Sequence, residues 1–204
     1  TQERRVNWGI DPETCAVLVH DMQNYFIDAY DTQAEPMATA LPNMVAIRAA
    51  ATAAGIPVVY TAQPGDQDPE ERALLTDFWG PGLKTANQDI IAELTPADDD
   101  VLLTKWRYSA FAKSDLAERM WAWGRDQLVI AGIYAHIGIM TTALDAFMRD
   151  VQPYVIRDAV AAGMRIAPQS TGHAASALAQ DALDRGADRS RLAHPLRVVE
   201  GRDG

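Results

Sequence analysis

A chain of 204 residues, 48% hydrophobic and 23% charged, is long enough to bury one sizeable core and reads as a single domain over 1–204. Its formal net charge of −10, with no basic run to offset it, argues against non-specific nucleic-acid binding. Small anionic ligands respond instead to local charge, because screening acts beyond roughly 8 Å.

The single cysteine, Cys15, excludes an internal disulfide and a cysteine-based metal cluster; at the start of an apolar strand it reads as a small buried filler. The opening "TQERRVNWGIDPE" is polar and shows no signal peptide, and no apolar stretch reaches the ~18–20 residues that span a bilayer. The expected location is cytoplasmic, with no membrane partner.

In chain order, "CAVLVHD" (15–21) predicts a buried strand and 38–55 a helix ended by Gly55. "PVVYTA" (57–62) predicts a second strand. A polar stretch (64–72) and "LLTDFWGPGL" (74–83) lead to a weaker helix through Ile90, Ile91 and Leu94. "VLLTK" (101–105) predicts a third strand, and Ser114 caps the helix "DLAERMWAWG". "QLVIAG" (127–132), a helix over 139–149 and "PYVIRDA" (153–159) complete the rhythm. Continuous Val/Ile/Leu strands separated by helices imply a three-layer α/β/α fold with a mostly parallel central sheet of about six strands. Beyond Ala162 the pattern supports a helix over about 173–185 and a short strand in "LRVVE".

In open parallel sheets, ligands bind outside the carboxyl ends of the strands. Those ends carry Asp21, Gln63, Lys105 and Gly132–Tyr134, with Phe26, Trp79, Tyr108 and Tyr134 close by in sequence. An acid, an amide and an ammonium on one edge suit acid–base work on a small polar ligand. Singly they are ordinary: Asp21 also suits a helix cap, Lys105 and Arg107 solvated loop charges, and Trp79 the core. His20, His136, His173 and His194 lack ligand-like spacing and read as structural or solvated, so no metal is implied. There is no phosphate-binding glycine fingerprint, hence no nucleotide cofactor. The elbow after the fourth strand, "AGIYAHIGIMTTALDAF" (131–147), holds Ile137, Gly138 and Ile139 where a nucleophile could stand.

"LVHDMQNYF" (18–26), "YTAQPGDQ" (60–67), "RALLTDFWGPGL" (72–83), "TKWRYSAF" (104–111) and "GIYAHIGIMTTALDAFMRD" (132–150) together resemble the isochorismatase family, over about residues 8–162. Cysteine hydrolases of the wider superfamily carry a catalytic Cys where Gly138 stands, and nicotinamidases an Asp-x-His pattern where this chain has "TAQPG". Both departures point to the vinyl-ether branch. The resemblance implies hydrolysis of the enolpyruvyl ether of isochorismate or its 2-amino-2-deoxy analogue, by protonation of the terminal methylene and capture of the oxocarbenium ion by water.

It further implies Asp21 as proton donor and Lys105 as its catalytic partner. Gln63, Arg72, Trp79, Tyr108, Tyr134, Gly138 and Phe26 would form the substrate pocket. No metal or cofactor is implied, and the relatives suggest a homodimer and a cis peptide before Tyr134. An ordinary Asp, with a pKa near ~3.9, is a poor acid at neutral pH; substrate carboxylates are expected to raise it. Glycine at 138 is read as leaving room for the ligand. Residues 163–204 depart from the family pattern. A chain ending without room for an aryl carrier domain favours the 2-amino substrate; the alternatives are siderophore-type isochorismate hydrolysis, a cysteine-independent amidase, and a catalytically silent binding module.

Overall fold

The computed structural model describes residues 7–162 together with the backbone of 197–199. Five apolar runs become strands β1 (Cys15–His20), β2 (Val58–Ala62), β3 (Val101–Thr104), β4 (Gln127–Ile133) and β5 (Gln152–Ala161), and Arg197–Val199 forms β6. Every pairing is parallel, in the order β3-β2-β1-β4-β5-β6. The helix expected at 173–185 lies outside the described residues. Among the described residues, no helix is long and apolar enough to cross a membrane.

The chain works outward from β1 to β3, then returns to place β4 on the other side of β1. That reversal opens a crevice at the carboxyl ends of β1 and β4. The middle position of β1 also explains its composition. Cys15, Val17 and Val19 face one core with Met37, Ala40 and Met44; Ala16 and Leu18 face the other with Leu116, Met120 and Ala143. A strand buried on both faces has no polar side to show, so it reads as a continuous apolar run. Complete burial of a side chain such as Leu18 contributes roughly 1.5–3 kcal/mol.

Helices cover both faces. The short α1 (Asn24–Ile27) follows β1, and α2 (Met37–Ala53) covers the first core. Gly55, at φ 66, ends α2: its N–H donates to the Thr52 carbonyl, and that of Ile56 to Ala51 at 2.9 Å. This glycine-dependent C-cap is the stop signal visible in the sequence. Between β2 and β3 lie α3 (Pro69–Arg72) and α4 (Leu74–Trp79). On the second face, α5 (Leu116–Ala122) starts one residue later than expected, although the Ser114 hydroxyl still accepts from the Leu116 N–H at 3.4 Å. A wide π-type turn (Ala135–Ile139) leads into α6 (Met140–Met148).

The weaker helix expected through Ile90, Ile91 and Leu94 is absent. Single 3₁₀ turns stand at Thr85–Asn87 and Ala92–Leu94, joined by an extended stretch. The Asp89 carbonyl accepts from Asn24 and the Ile91 N–H donates to Met22, both at 2.9 Å. Those backbone groups are committed to the segment after β1 and so are not available for helical pairing. Ile91 and Leu94 still reach the first core, which accounts for the helix-like spacing.

Candidate active site

The crevice is floored by Asp21, the first residue beyond β1, whose side chain and backbone are 6% exposed. Lys105, one residue beyond β3, donates from Nζ to Asp21 Oδ2 at 2.7 Å, and Thr61 of β2 donates from Oγ1 to Oδ1 at 2.7 Å. Asp21 has φ 54, in the left-handed region that favours glycine and tolerates Asp or Asn. The strand therefore stops there and the carboxyl turns back over β2 and β3.

Burial alone pushes the Asp21 carboxyl upward. Positive charge nearby and the hydrogen bonds from Lys105 and Thr61 outweigh it, leaving Asp21 below the ordinary carboxylate value. His20 would add to this only when protonated. Burial instead lowers its pKa to about 4, so at neutral pH the ammonium of Lys105 is the charge that acts. Asp21 is thus ionised in the ligand-free protein.

Around this pair stand the other expected residues. Arg72, at the end of α3, is 4% exposed. Its Nε donates to the Gly80 carbonyl at 2.9 Å and its NH1 reaches Gln63 Oε1 at 3.4 Å, but among the described residues no carboxylate pairs with it. Burial lowers its pKa, yet a guanidinium stays charged at any ordinary pH. Trp79 Nε1 donates to the Tyr108 hydroxyl at 2.7 Å. Phe26 meets Tyr134 edge-on, with centroids 5.8 Å apart. Burial, with Tyr25 and Asp21 nearby, pushes the Tyr134 phenol up to about 12, so it remains a donor. The Ile133–Tyr134 peptide is cis, as the resemblance implies.

Gly138 differs from the expectation. A Cβ placed there would lie 2.3 Å from His20 Cε1 and 2.8 Å from Nε2. The space beside Gly138 is filled by a histidine ring, not kept for a ligand.

Sequence reading missed four contributors. His20 is buried directly behind Asp21, Thr61 binds its carboxylate, and Gln23 brackets the Gln63 backbone by accepting from its N–H and donating to its carbonyl, both at 2.8 Å. Tyr25 sits close enough to Arg72 and Tyr134 to influence both. Of these, only Tyr25, within the "QNYF" run, carried a usable signal, being an aromatic beside Phe26. A separate cavity of about 230 Å³, lined by Thr52, Val58, Asp99, Asp100 and Trp123, opens at the opposite, amino ends of β2 and β3. It holds neither Asp21 nor Lys105.

The sequence profile of the isochorismatase domain matches residues 15–183. The chain belongs to the isochorismatase family. A Bacillus subtilis protein named isochorismatase is 53% identical over 161 residues, covering 78% of this chain and 52% of its own length. The phenazine biosynthesis protein PhzD of Pseudomonas fluorescens is 47% identical over 161 residues, 76% of this chain and 74% of its own. This isochorismatase-family chain thus spans about half the length of the Bacillus relative. The crystal structure of a cysteine hydrolase from Pseudomonas syringae superposes with a TM-score of 0.71 at 24% identity, covering 90% of this chain and 89% of that one. At that identity the two share a fold.

Proposed function

We propose that this chain hydrolyses the enolpyruvyl vinyl ether of isochorismate-type dicarboxylates, with Asp21 as the acid. The observation that carries the reading is a buried Asp21 carboxyl held by Lys105 and Thr61, beside a buried Arg72 that has no carboxylate partner among the described residues. A buried guanidinium of this kind fits an anionic ligand group. A dicarboxylate offers one carboxylate to Arg72 and brings the other towards Lys105. Competition for the ammonium and added negative charge both raise the Asp21 pKa, turning an ionised carboxylate into a proton donor once substrate is bound.

Asp21 then protonates the terminal methylene carbon of the ether. The C=C electron pair forms the new C–H bond, and positive charge develops on the ether-bearing carbon as an oxocarbenium ion. Water adds to that carbon and loses a proton to give a hemiketal. Its hydroxyl proton leaves as the C=O of pyruvate forms, the bond from that carbon to the ether oxygen breaks, and the oxygen stays on the ring and takes up a proton. The products are pyruvate and the ring alcohol, so no side-chain nucleophile is required of the elbow. Gln63, Trp79, Tyr108, Tyr134 and Phe26 would hold the ring and exclude bulk water.

The reacting ether and both carboxylates are common to isochorismate and 2-amino-2-deoxyisochorismate, and the reading covers both. The names of the Bacillus and Pseudomonas relatives support this substrate class. Each compound is incubated with the protein while pyruvate is followed through lactate dehydrogenase and loss of NADH. One pyruvate per ether consumed is expected, and the relative kcat/KM values rank the two substrates. No pyruvate from either compound would overturn the proposal and leave a binding role.

A further inference from the structure

Two glycines of the elbow lie against the same residue. A Cβ at Gly132 would stand 2.3 Å from the His20 carbonyl oxygen, and one at Gly138 would stand 2.3 Å from the ring. Gly132 has φ 120 and needs glycine for its backbone as well. Gly138 is not among the residues with positive φ, so its backbone makes no such demand. What keeps residue 138 small is the imidazole.

The ring is held from a third direction. His20 Nδ1 lies 2.6 Å from the Ile133 carbonyl, which can only accept, so Nδ1 carries the proton. The neighbouring Asp21 Oδ2 is 3.6 Å from Nδ1, and the charged groups nearest the ring are Asp21 and Lys105. The opposite nitrogen, Nε2, is fully buried without a hydrogen-bond partner, and the Tyr108 backbone nearby favours the protonated ring only weakly against burial. A fully buried polar residue in an apolar strand, with one nitrogen unsatisfied, is an expensive arrangement for packing alone.

We propose that His20 is a positioning residue that pins the elbow over Asp21 and occupies the space a side chain at 138 would need. The inference rests on the reading of Asp21 as the acid. Through the Ile133 carbonyl, His20 fixes the start of the elbow and hence Tyr134 relative to the carboxyl. Through its ring, it shuts residue 138 out of the crevice, so the site is committed to proton transfer and closed to a nucleophile on the elbow.

The test is a double-mutant cycle with two further variants. Gly138→Ala forces the ring aside and should lower Tm by roughly 4–10 °C. In a His20→Asn background, where the shorter side chain leaves the ring space empty but keeps an N–H for Ile133, the same change should cost almost nothing. An equal loss of Tm in both backgrounds would overturn the steric half of the proposal. This cycle needs no substrate, so it stands or falls separately from the vinyl-ether reading.

For positioning, His20→Leu fills similar space without a donor. Its kcat for pyruvate release should fall ~10-fold or more with KM little changed, while His20→Asn should retain most of the wild-type kcat. A His20→Leu enzyme that is folded by Tm and turns over normally would overturn the positioning half, as would an Asn variant no better than Leu.

Discussion

Two Asp–Lys pairs in this protein have nearly the same geometry and opposite significance. Lys105–Asp21 spans 2.7 Å with side chains 3% and 9% exposed; Lys84–Asp66 spans 2.8 Å with side chains 65% and 51% exposed. Both lower their carboxyl, Asp66 to about 2 through hydrogen bonds from Lys84 and Thr85. Around Asp66, water screens the charges and replaces lost partners. Around Asp21 there is little water to do so, and each remaining group answers for the charge of the other. Contact distance alone therefore says little about which carboxylate can do chemistry; enclosure decides it.

The sharpest way to break this contrast is to neutralise Asp21. Asp21→Asn keeps the shape and suits the left-handed backbone at φ 54. Turnover should fall by about 10²–10⁴-fold, the usual contribution of a general acid, with KM little changed and the circular dichroism spectrum intact. Steady-state pyruvate release checks it, and near-normal turnover would remove Asp21 from the mechanism.

Next in size is Lys105→Met, which strands the buried carboxylate. Stability at pH 7 should drop by about 3–5 kcal/mol, measured by urea unfolding. Burial would then raise the Asp21 pKa against the Thr61 hydrogen bond and without the neighbouring ammonium, so the deficit should shrink as pH falls. A deficit independent of pH would mean that the carboxylate gains water once Lys105 is gone.

A third test uses acid. His20 titrates at about 4 in the fold and at 6.5 as an ordinary histidine. Between those values the unfolded chain binds the extra proton, so stability rises with pH and is lost as pH falls from 6.5 towards 4. At ~1.4 kcal/mol per pH unit the loss reaches at most about 3 kcal/mol. His136, also lowered by burial, acts in the same direction. The fall seen for the wild type should be much shallower in His20→Asn, by urea unfolding at each pH. Parallel pH curves would show that the ring is solvated. The smallest effect belongs to the exposed pair: Lys84→Ala should leave Tm and kcat almost unmoved, and a large loss of either would erase the contrast.

The contrast also separates what the sequence exposes from what it hides. The strands were legible because β1, β2 and β4 lie inside and read as unbroken apolar runs. Asp21, Gln63 and Lys105 were legible because they follow strands whose carboxyl ends must share one edge. His20 was not, because its meaning depends on Ile133 and Gly138, more than a hundred positions away, and on a register that places it opposite Thr61 and Gly132. Gln23 was hidden likewise, since the backbone it brackets at Gln63 is 40 residues distant. The helix expected through Ile90 failed for the same kind of reason: its apolar spacing was real, but its backbone was already bonded to Met22 and Asn24.

The central place of β1 has one more consequence. Amides of Val19 and its neighbours lie between two hydrogen-bonded strands and two cores, and they should exchange with solvent only when the whole domain unfolds. Arg72 sits on a different foundation: α3 and α4 are short, they bracket Ala73 at φ 51, and Leu74 is 80% exposed. Such a segment can open on its own at small free-energy cost. On the reading proposed above, the acid stands at the end of the most enclosed strand and the carboxylate-binding Arg72 on short helices at the rim. Under that reading, a ligand would be admitted and released by local movement at Arg72 while Asp21 stays still, and amide exchange measured across 69–79 should be faster than across 15–20.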